Sequence, residues 1–126
     1  MDLKKYLEES DKEKLIDKIF VEIRKIQEKY NPFITISEEE ARMHFESNKK
    51  SKDFLGIPFS VKDNICTSNI RTTAGSKILE HYVPFFDATV VEKIKKVGYI
   101  IGKTSMDEFG FGSFNLNCAF GIPKNP

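Results

Sequence analysis

The stretch best equipped for chemistry runs from Gly56 to Asn64 and places Lys62 directly after an apolar run. In α/β proteins, functional groups gather beyond the carboxyl ends of the strands, which is where this lysine falls. Desolvation there lowers the pKa of an ammonium group, and the neutral amine is then a base that can activate a serine hydroxyl. The residues alone favour a plainer alternative, in which Lys62 is solvated and paired with Asp63.

The other reactive side chains are isolated in the sequence. His44 and His81 have no neighbour at a spacing typical of a metal site, and Cys66 and Cys118 are far apart. We therefore predict no metal site and two reduced thiols that act as small core residues.

Charge and hydropathy exclude several classes of protein. The formal net charge of +1 gives the whole chain no attraction to nucleic acid or to a membrane surface. No apolar run approaches the ~20 residues that cross a bilayer, and the first residues are charged instead of apolar. These features predict a cytoplasmic protein without a membrane partner.

The elements that must position Lys62 begin with a helix at residues 10–30. Ser10-Asp11-Lys12-Glu13 has the form of a capping box, and Asn31-Pro32 ends the helix. An apolar stripe recurs between them at helical spacing. Its members are Leu15, Ile16, Ile19, Phe20, Ile23, Ile26 and Tyr30. This stripe packs either on the body of the protein or on a partner subunit, and the sequence leaves both open.

A short strand and a second helix follow. Residues 33–36, which are aromatic or β-branched, predict a short strand, and Ser37-Glu38-Glu39-Glu40 has the form of a second capping box for a helix that ends near Asn48. Polar, lysine-rich residues 47–53 indicate a surface loop.

From Leu55 onward the charge density falls, and two apolar strands with a helix between them are predicted. The two strands are predicted at 57–61 and 99–102. Asp87 is predicted to cap the helix between them, and Gly98 to end it in the left-handed conformation. After the second strand, Ser105 is predicted to cap a short helix, and residues 110–126 form a loop. A strand–helix–strand unit forms a parallel pair with a right-handed crossover.

These elements predict the α/β class, with a helical N-terminal region at 1–54 followed by part of a core at 55–126. A parallel sheet needs both faces covered and neighbouring strands on either side. We therefore expect this sheet to be incomplete and to be finished by polypeptide outside these residues.

Five groups of residues stand out in the second region. They are Gly56-Ile57-Pro58 with Val61-Lys62-Asp63-Asn64-Ile65, Arg71-Thr72-Thr73-Ala74-Gly75-Ser76-Lys77-Ile78-Leu79, Asp87-Ala88-Thr89-Val90-Val91-Glu92-Lys93, Ile101-Gly102-Lys103-Thr104-Ser105-Met106-Asp107-Glu108-Phe109, and Ala119-Phe120-Gly121 with Lys124-Asn125-Pro126. In this order they resemble the amidase-signature family and, within it, the A-type subunits of glutamyl-tRNA(Gln) amidotransferases. The first region resembles that family only in its helical character.

The resemblance implies a mixed sheet with helices on both faces and a Ser–Ser–Lys relay. In this relay Lys62 is the terminal base, and one serine passes protons between it and a nucleophilic serine. The resemblance also implies that Phe111, Gly112 and Ser113 lie near the substrate amide. Phe111 stands where the A-type subunits commonly have methionine, and a packed core aromatic is an equal alternative for it. Ser105 replaces a common asparagine.

The function implied is that of the N-terminal part of a glutaminase subunit. Such a subunit releases ammonia from glutamine for a B-type subunit, where Glu-tRNA(Gln), activated with ATP and magnesium, becomes Gln-tRNA(Gln). A C-type subunit braces the assembly. The resemblance implies no cofactor in this chain itself, since ATP and magnesium are used by the partner subunit.

The family carries its two serines in a glycine–serine segment after the Asn-Pro motif, and residues 1–126 contain no such segment. We therefore expect the chain alone to be inactive and to work with a C-terminal amidase fragment that carries the serines. Two alternatives stay open. The chain could be an inactive scaffold or binding remnant, or it could be part of an amidase for other small amides.

Overall fold

The computed structural model describes residues 3–8 and 11–126. Within these ranges the α-helices are Leu3–Glu8 (α1), Lys12–Tyr30 (α2), Glu38–Asn48 (α3) and Thr89–Val97 (α4). The strands are Phe33–Ile36 (β1), Ile57–Lys62 (β2) and Gly98–Thr104 (β3). Two short 3-10 turns occur at Lys77–Leu79 and Glu108–Gly110.

The strands form one mixed sheet in the order β1-β3-β2. β1 pairs antiparallel with β3, and β2 pairs parallel with β3, with α4 in the connection between the two parallel strands. The expected α/β class, mixed sheet and parallel pair are thus confirmed. β1 comes from the N-terminal region and pairs with a strand of the second region, and the division near residue 54 stays a prediction.

Helices cover both faces of the sheet, because the central strand β3 sends apolar side chains to both sides. One core lies between the sheet and helices α2 and α3, and it contains Ile16, Phe20, Ile23, Ala41, Phe45, Phe54 and Tyr99. The other lies under α4 and contains Val61, Ile70, Val91 and Ile100. The α2 stripe therefore packs on the body of the protein itself, although Ile26 near its end is exposed.

The helix caps differ partly from the sequence prediction. Ser10 lies outside the described residues, and α2 is capped by Asp11, whose carboxylate accepts from the backbone N–H of Lys14 at 3.1 Å. Ser37 is the N-cap residue of α3, as predicted, but its side chain makes no capping hydrogen bond. Its hydroxyl donates to the Ile100 carbonyl at 2.9 Å, because the residue is buried against β3.

Three predictions around α4 and β3 are also corrected. Asp87 does not cap α4, since its carboxylate accepts from the Ser68 N–H and pairs with Lys95. Gly98 is extended, with φ −159°, and is the first residue of β3 instead of a left-handed cap. Ser105 caps no helix, because the short turn begins at Glu108 with Asp107 before it.

The pairing of β2 with β3 shifts by one residue in the middle of the strands. Phe59 is opposite Ile100, whereas the next residue, Ser60, is opposite Gly102. Ile101 is therefore an extra residue in β3, and such a bulge reverses the face on which the following side chains lie.

Several large apolar side chains are exposed in the loops outside the two cores. Ile78, Phe85, Phe111 and Phe114 are 81%, 89%, 88% and 84% exposed. None of the helices within residues 3–8 and 11–126 has the length and apolar character needed to cross a membrane.

Candidate active site

Lys62 is the last residue of β2 and lies opposite Thr104 of β3. Its side chain is exposed but borders a shallow cavity of about 170 Å³ at the carboxyl ends of the two parallel strands. The cavity is lined by Lys62, Ser105, Met106, Asp107, Gly110, Gly112, Ser113 and Asn115. The side chain therefore lies beside a groove, which is the position expected of a base that receives a proton from another group.

The cavity brings together three of the four residues that the sequence singled out. Gly112 and Ser113 line it with Lys62. Phe111 is outside the lining and is 88% exposed, so it does not occupy the packed core position that was its alternative. Whether these residues contact a substrate stays a prediction.

Asp107, which sequence reasoning did not single out, organises the loop on the far side of the cavity. Its carboxylate accepts from the backbone N–H groups of Asn117 at 2.9 Å and Asn115 at 2.8 Å. These backbone hydrogen bonds, mainly that from Asn117, hold the pKa of Asp107 below its ordinary value, and the charge of Lys62 contributes a smaller part. A carboxylate that accepts several N–H groups fixes the loop that donates them.

Gly112 is placed against that carboxylate. A Cβ at this position would lie 2.3 Å from Oδ2 and 2.8 Å from Cβ of Asp107, so the loop or the Asp107 side chain would have to move. Glycine therefore allows the loop to approach Asp107 this closely and close one wall of the cavity.

Behind Lys62, on the inner side of the strands, lies a pair of oppositely charged residues that are both completely buried. Nζ of Lys103 is 3.7 Å from Oδ1 of Asp63, and it donates to the Ile65 carbonyl and the Thr72 hydroxyl, each at 2.7 Å. Burial lowers the pKa of Lys103 to about 8, against the opposing effect of the Asp63 charge. The alternative in which Asp63 pairs with Lys62 is therefore wrong, because Asp63 faces the interior.

Asp63 also joins two of the sequence motifs. Its Oδ2 accepts from the backbone N–H of Thr73 at 2.9 Å and from the Thr73 hydroxyl, and its carbonyl accepts from the Ala74 N–H at 2.9 Å. The Ala74 carbonyl in turn accepts from the Phe109 N–H at 2.8 Å. The three motifs around residues 62, 73 and 107 thus form one hydrogen-bonded unit behind the cavity.

The histidines and cysteines take no part in the hydrogen bonds of this unit that are described above. A ring nitrogen of His44 is 2.8 Å from the Lys95 carbonyl, and the ring packs edge-on against Phe54. Cys66 and Cys118 are half-buried free thiols. Within the described residues, no group of three His, Cys, Asp or Glu side chains could hold a metal ion.

The cavity offers an amine, the hydroxyls of Ser105 and Ser113, and a carboxylate held by backbone donors. A neutral amine in this position can accept a proton from a hydroxyl that enters the groove. The small residues that line the loop side leave room for such a group.

Comparison with known proteins bears directly on this arrangement. The family model described as Amidase matches residues 14–126. The A-type subunit of glutamyl-tRNA(Gln) amidotransferase from Halothermothrix orenii is 42% identical over 120 residues, which cover 94% of this chain and 25% of that protein. Its counterpart from Saccharolobus solfataricus is 46% identical over 117 residues, covering 90% of this chain and 24% of that protein.

Solved structures agree with the sequence matches. The A-type subunit of glutamyl-tRNA(Gln) amidotransferase from Thermotoga maritima superposes with a TM-score of 0.81 and 32% identity, covering 99% of this chain and 27% of that one. A 6-aminohexanoate cyclic dimer hydrolase has the same TM-score at 21% identity, covering 90% of this chain and 24% of that one, and shows the shared fold alone. The chain spans about a quarter of the length of the curated relatives that it matches, 25% for the first of them.

Proposed function

Because this chain belongs to the amidase family, we propose that it supplies the lysine of a Ser–Ser–Lys relay in a glutamine-hydrolysing subunit of glutamyl-tRNA(Gln) amidotransferase. The specific subunit is supported by identities of 42% and 46% to two such A-type subunits and by the 99% of the chain that superposes on a third. The chain is then the N-terminal part of the amidase subunit.

One observation carries the proposal. Lys62 ends β2 beside a groove whose opposite wall contains Gly112 and Ser113, two residues that the family resemblance associates with the substrate. An amine at a strand end beside a groove is the geometry that a terminal base needs.

In the proposed reaction, the amine of Lys62 removes a proton from the relay serine, which removes one from the nucleophilic serine. The nucleophilic oxygen attacks the carboxamide carbon of glutamine, the C–N bond breaks, and the relay returns a proton to the leaving nitrogen as ammonia departs. Water then attacks the acyl-enzyme ester by the same relay and releases glutamate. Both serines belong to a C-terminal amidase fragment, since residues 1–126 contain no glycine–serine segment.

The proposed assembly follows from the family resemblance. Ammonia passes to a B-type subunit that uses ATP and magnesium to convert Glu-tRNA(Gln) to Gln-tRNA(Gln), and a C-type subunit braces the complex. This role is a cytoplasmic ligase function in protein biosynthesis. No cofactor is assigned to this chain itself.

The proposal is tested by co-expressing the chain with an amidase fragment that carries the serines and measuring ammonia released from glutamine. Lys62→Ala should abolish the release, because the serine is then left without its base. Lys96→Ala is the matched control, since Lys96 is an exposed lysine of α4 away from the cavity, and it should leave the rate unchanged. Full activity of the Lys62→Ala enzyme would refute the role of this lysine.

The exposed aromatic side chains favour a second candidate function, that of an inactive scaffold. Phe111 and Phe114, 88% and 84% exposed, suit a scaffold module that binds a partner without chemistry. The same co-expression separates the two functions. A scaffold would bind the amidase fragment without any change in ammonia release when Lys62 is replaced. An amidase for other small amides would hydrolyse simple amides in preference to glutamine.

A further inference from the structure

The relay does not use the buried Asp63–Lys103 pair, which lies at the carboxyl ends of the adjacent strands β2 and β3. We infer that this pair is a positioning device that fixes the turn carrying Lys62 and so sets where its amine meets the relay serine. The inference rests on the proposed function of Lys62 and extends it to two residues that touch neither the cavity nor the substrate.

The pair holds the turn itself. The Lys62 carbonyl accepts from the Ile65 N–H at 3.0 Å, and the Ile65 carbonyl accepts from Nζ of Lys103 at 2.7 Å. The Asp63 N–H donates to the Thr104 carbonyl at 3.2 Å. The turn after β2 is thus bound to β3 by one backbone hydrogen bond and by the buried ammonium group.

The pair also holds the segment that lies beneath the turn. Asp63 accepts from the N–H and the hydroxyl of Thr73, while Lys103 donates to the Thr72 hydroxyl at 2.7 Å. The two opposite charges therefore hold neighbouring residues of the same segment. Removing the charge of Asp63 therefore releases Thr73, and removing that of Lys103 releases Thr72.

Lys103 connects this unit to the far wall of the cavity as well. Two residues after it, Ser105 begins the run that continues through Asp107 and lines the groove. Asp63 directly follows the proposed base, and Lys103 shortly precedes the opposite wall. The pair therefore holds together the backbone that carries the proposed base and the backbone that lines the other part of the groove.

Stability alone does not explain two buried charges here. Burying an ion pair is often no better for stability than burying apolar residues of similar volume. Oδ1 of Asp63 has no hydrogen-bond partner among the described side chains and backbone, so this pair is imperfectly satisfied. A defined position of the turn is a benefit that an apolar pair would not supply, because apolar contacts are not directional.

The test uses the enzyme reconstituted from this chain and an amidase fragment with the serines. The decisive variant is Asp63→Asn combined with Lys103→Met, because it leaves no unpaired buried charge and should still fold and co-purify. Its kcat for glutamine should fall about 10²-fold at an unchanged KM, as expected when a reacting group is displaced by about 1 Å. Lys96→Met, on the exposed face of α4, should keep the kcat of the unmodified enzyme.

The pH profile separates positioning from a general structural role. The titratable groups whose charges act on Lys103 are Asp63, the Cys66 thiol and Asp87. In the unmodified enzyme kcat should fall at alkaline pH as Lys103 loses its proton, and this fall should be absent in the double variant. A folded double variant with unmodified kcat, or with the same alkaline fall, would overturn the inference.

Two further variants keep the outcomes distinct. If the double variant does not co-purify, Thr72→Val decides, because it removes only a hydroxyl that Lys103 binds and should lower kcat without changing KM. An unmodified kcat in that variant would overturn the positioning role. If Lys62→Ala is inactive and the double variant keeps the unmodified kcat, the positioning inference fails and the proposed function stands. Retained activity in Lys62→Ala defeats the proposed function and the inference with it.

Discussion

At the scale of single residues, the ammonium group of Lys103 is a charge that the fold buries completely. Burial disfavours its charged form and lowers its pKa from 10.5 to about 8. The native protein therefore releases this proton at a lower pH than the unfolded chain does.

This difference predicts the direction in which stability changes with pH. Between pH 8 and 10.5 the unfolded chain still holds the Lys103 proton that the native protein has released. Since stability rises with pH wherever the unfolded state binds more protons, the contribution of Lys103 to the free energy of unfolding should increase through this window, by up to about 3 kcal/mol. Denaturant unfolding of the unmodified enzyme and of Lys103→Met across this range measures it. If the difference between the two proteins does not change with pH, Lys103 does not titrate as described.

The sequence predicted Lys62 but missed the residues behind it. A lysine at the end of an apolar strand can be recognised from spacing alone. The buried position of Lys103 cannot, because it depends on the register of β3 against β2 and on a segment more than thirty residues earlier, where Thr72 accepts its hydrogen bond. Asp107 gave no local signal either, since the N–H groups that it binds lie in a loop without regular structure.

At the scale of secondary structure elements, the close approach of β2 and β3 depends on Gly98. A Cβ on this residue would lie 2.0 Å from the Ile57 carbonyl oxygen and 2.6 Å from the Phe59 ring. The glycine is needed for this contact and not for its backbone angles, which are extended.

Gly98→Ala should therefore separate the first residues of the two parallel strands. The overpacked contact is expected to cost about 1–3 kcal/mol or more, because the obstructing atoms include backbone. Urea unfolding of the reconstituted enzyme measures this loss. Lys96→Ala, two residues earlier and exposed, should change the free energy of unfolding much less. Equal effects of the two substitutions would contradict the packing shown for Gly98.

Sequence patterns located the elements well and their ends less well. The strands at 33–36, 57–61 and 99–102 are confirmed within two residues at either end, because short apolar runs between polar loops define them. The capping roles predicted for the side chains of Ser37 and Asp87 failed because both side chains have other partners than the first turn of the helix: Ser37 donates to the Ile100 carbonyl, and Asp87 accepts from the Ser68 N–H and from Lys95 near the end of α4. Local capping patterns cannot show such competition.

Long-range side-chain contacts were equally invisible in the sequence. The Arg71 guanidinium donates to the Ile34 carbonyl at 3.0 Å and to the Thr35 hydroxyl at 3.1 Å, and it lies over the Phe120 ring. One side chain thereby connects β1, the segment after β2 and the C-terminal loop. Nothing in the spacing of these residues indicates that they meet.

At the scale of the whole molecule, the described fold leaves large apolar surfaces uncovered. Both β1 and β2 are edge strands of the three-stranded sheet, and four loop side chains, Ile78, Phe85, Phe111 and Phe114, are more than 80% exposed. Open strand edges and exposed apolar patches promote association with other chains.

We therefore expect the purified chain alone to bind a hydrophobic dye and to unfold with poor cooperativity or aggregate. Co-expression with the amidase fragment should suppress dye binding and sharpen the transition, because the exposed side chains are then covered. Dye fluorescence and calorimetry of the chain with and without the fragment provide the measurements. A sharp, reversible unfolding transition of the isolated chain without dye binding would show that its exposed apolar side chains need no partner to bury them.

The extra residue in β3 determines on which side of the sheet Lys103 lies. Alternation along a regular strand would direct Lys103 to the same side as Tyr99, among the aromatic rings that α2 and α3 cover. Ile101 offsets this alternation by one residue, so that Lys103 lies opposite Val61, on the side that contains Asp63 and Thr72. In this strand the number of residues matters as much as their identity, because a slip of one residue that no bulge absorbs moves every later side chain to the opposite face.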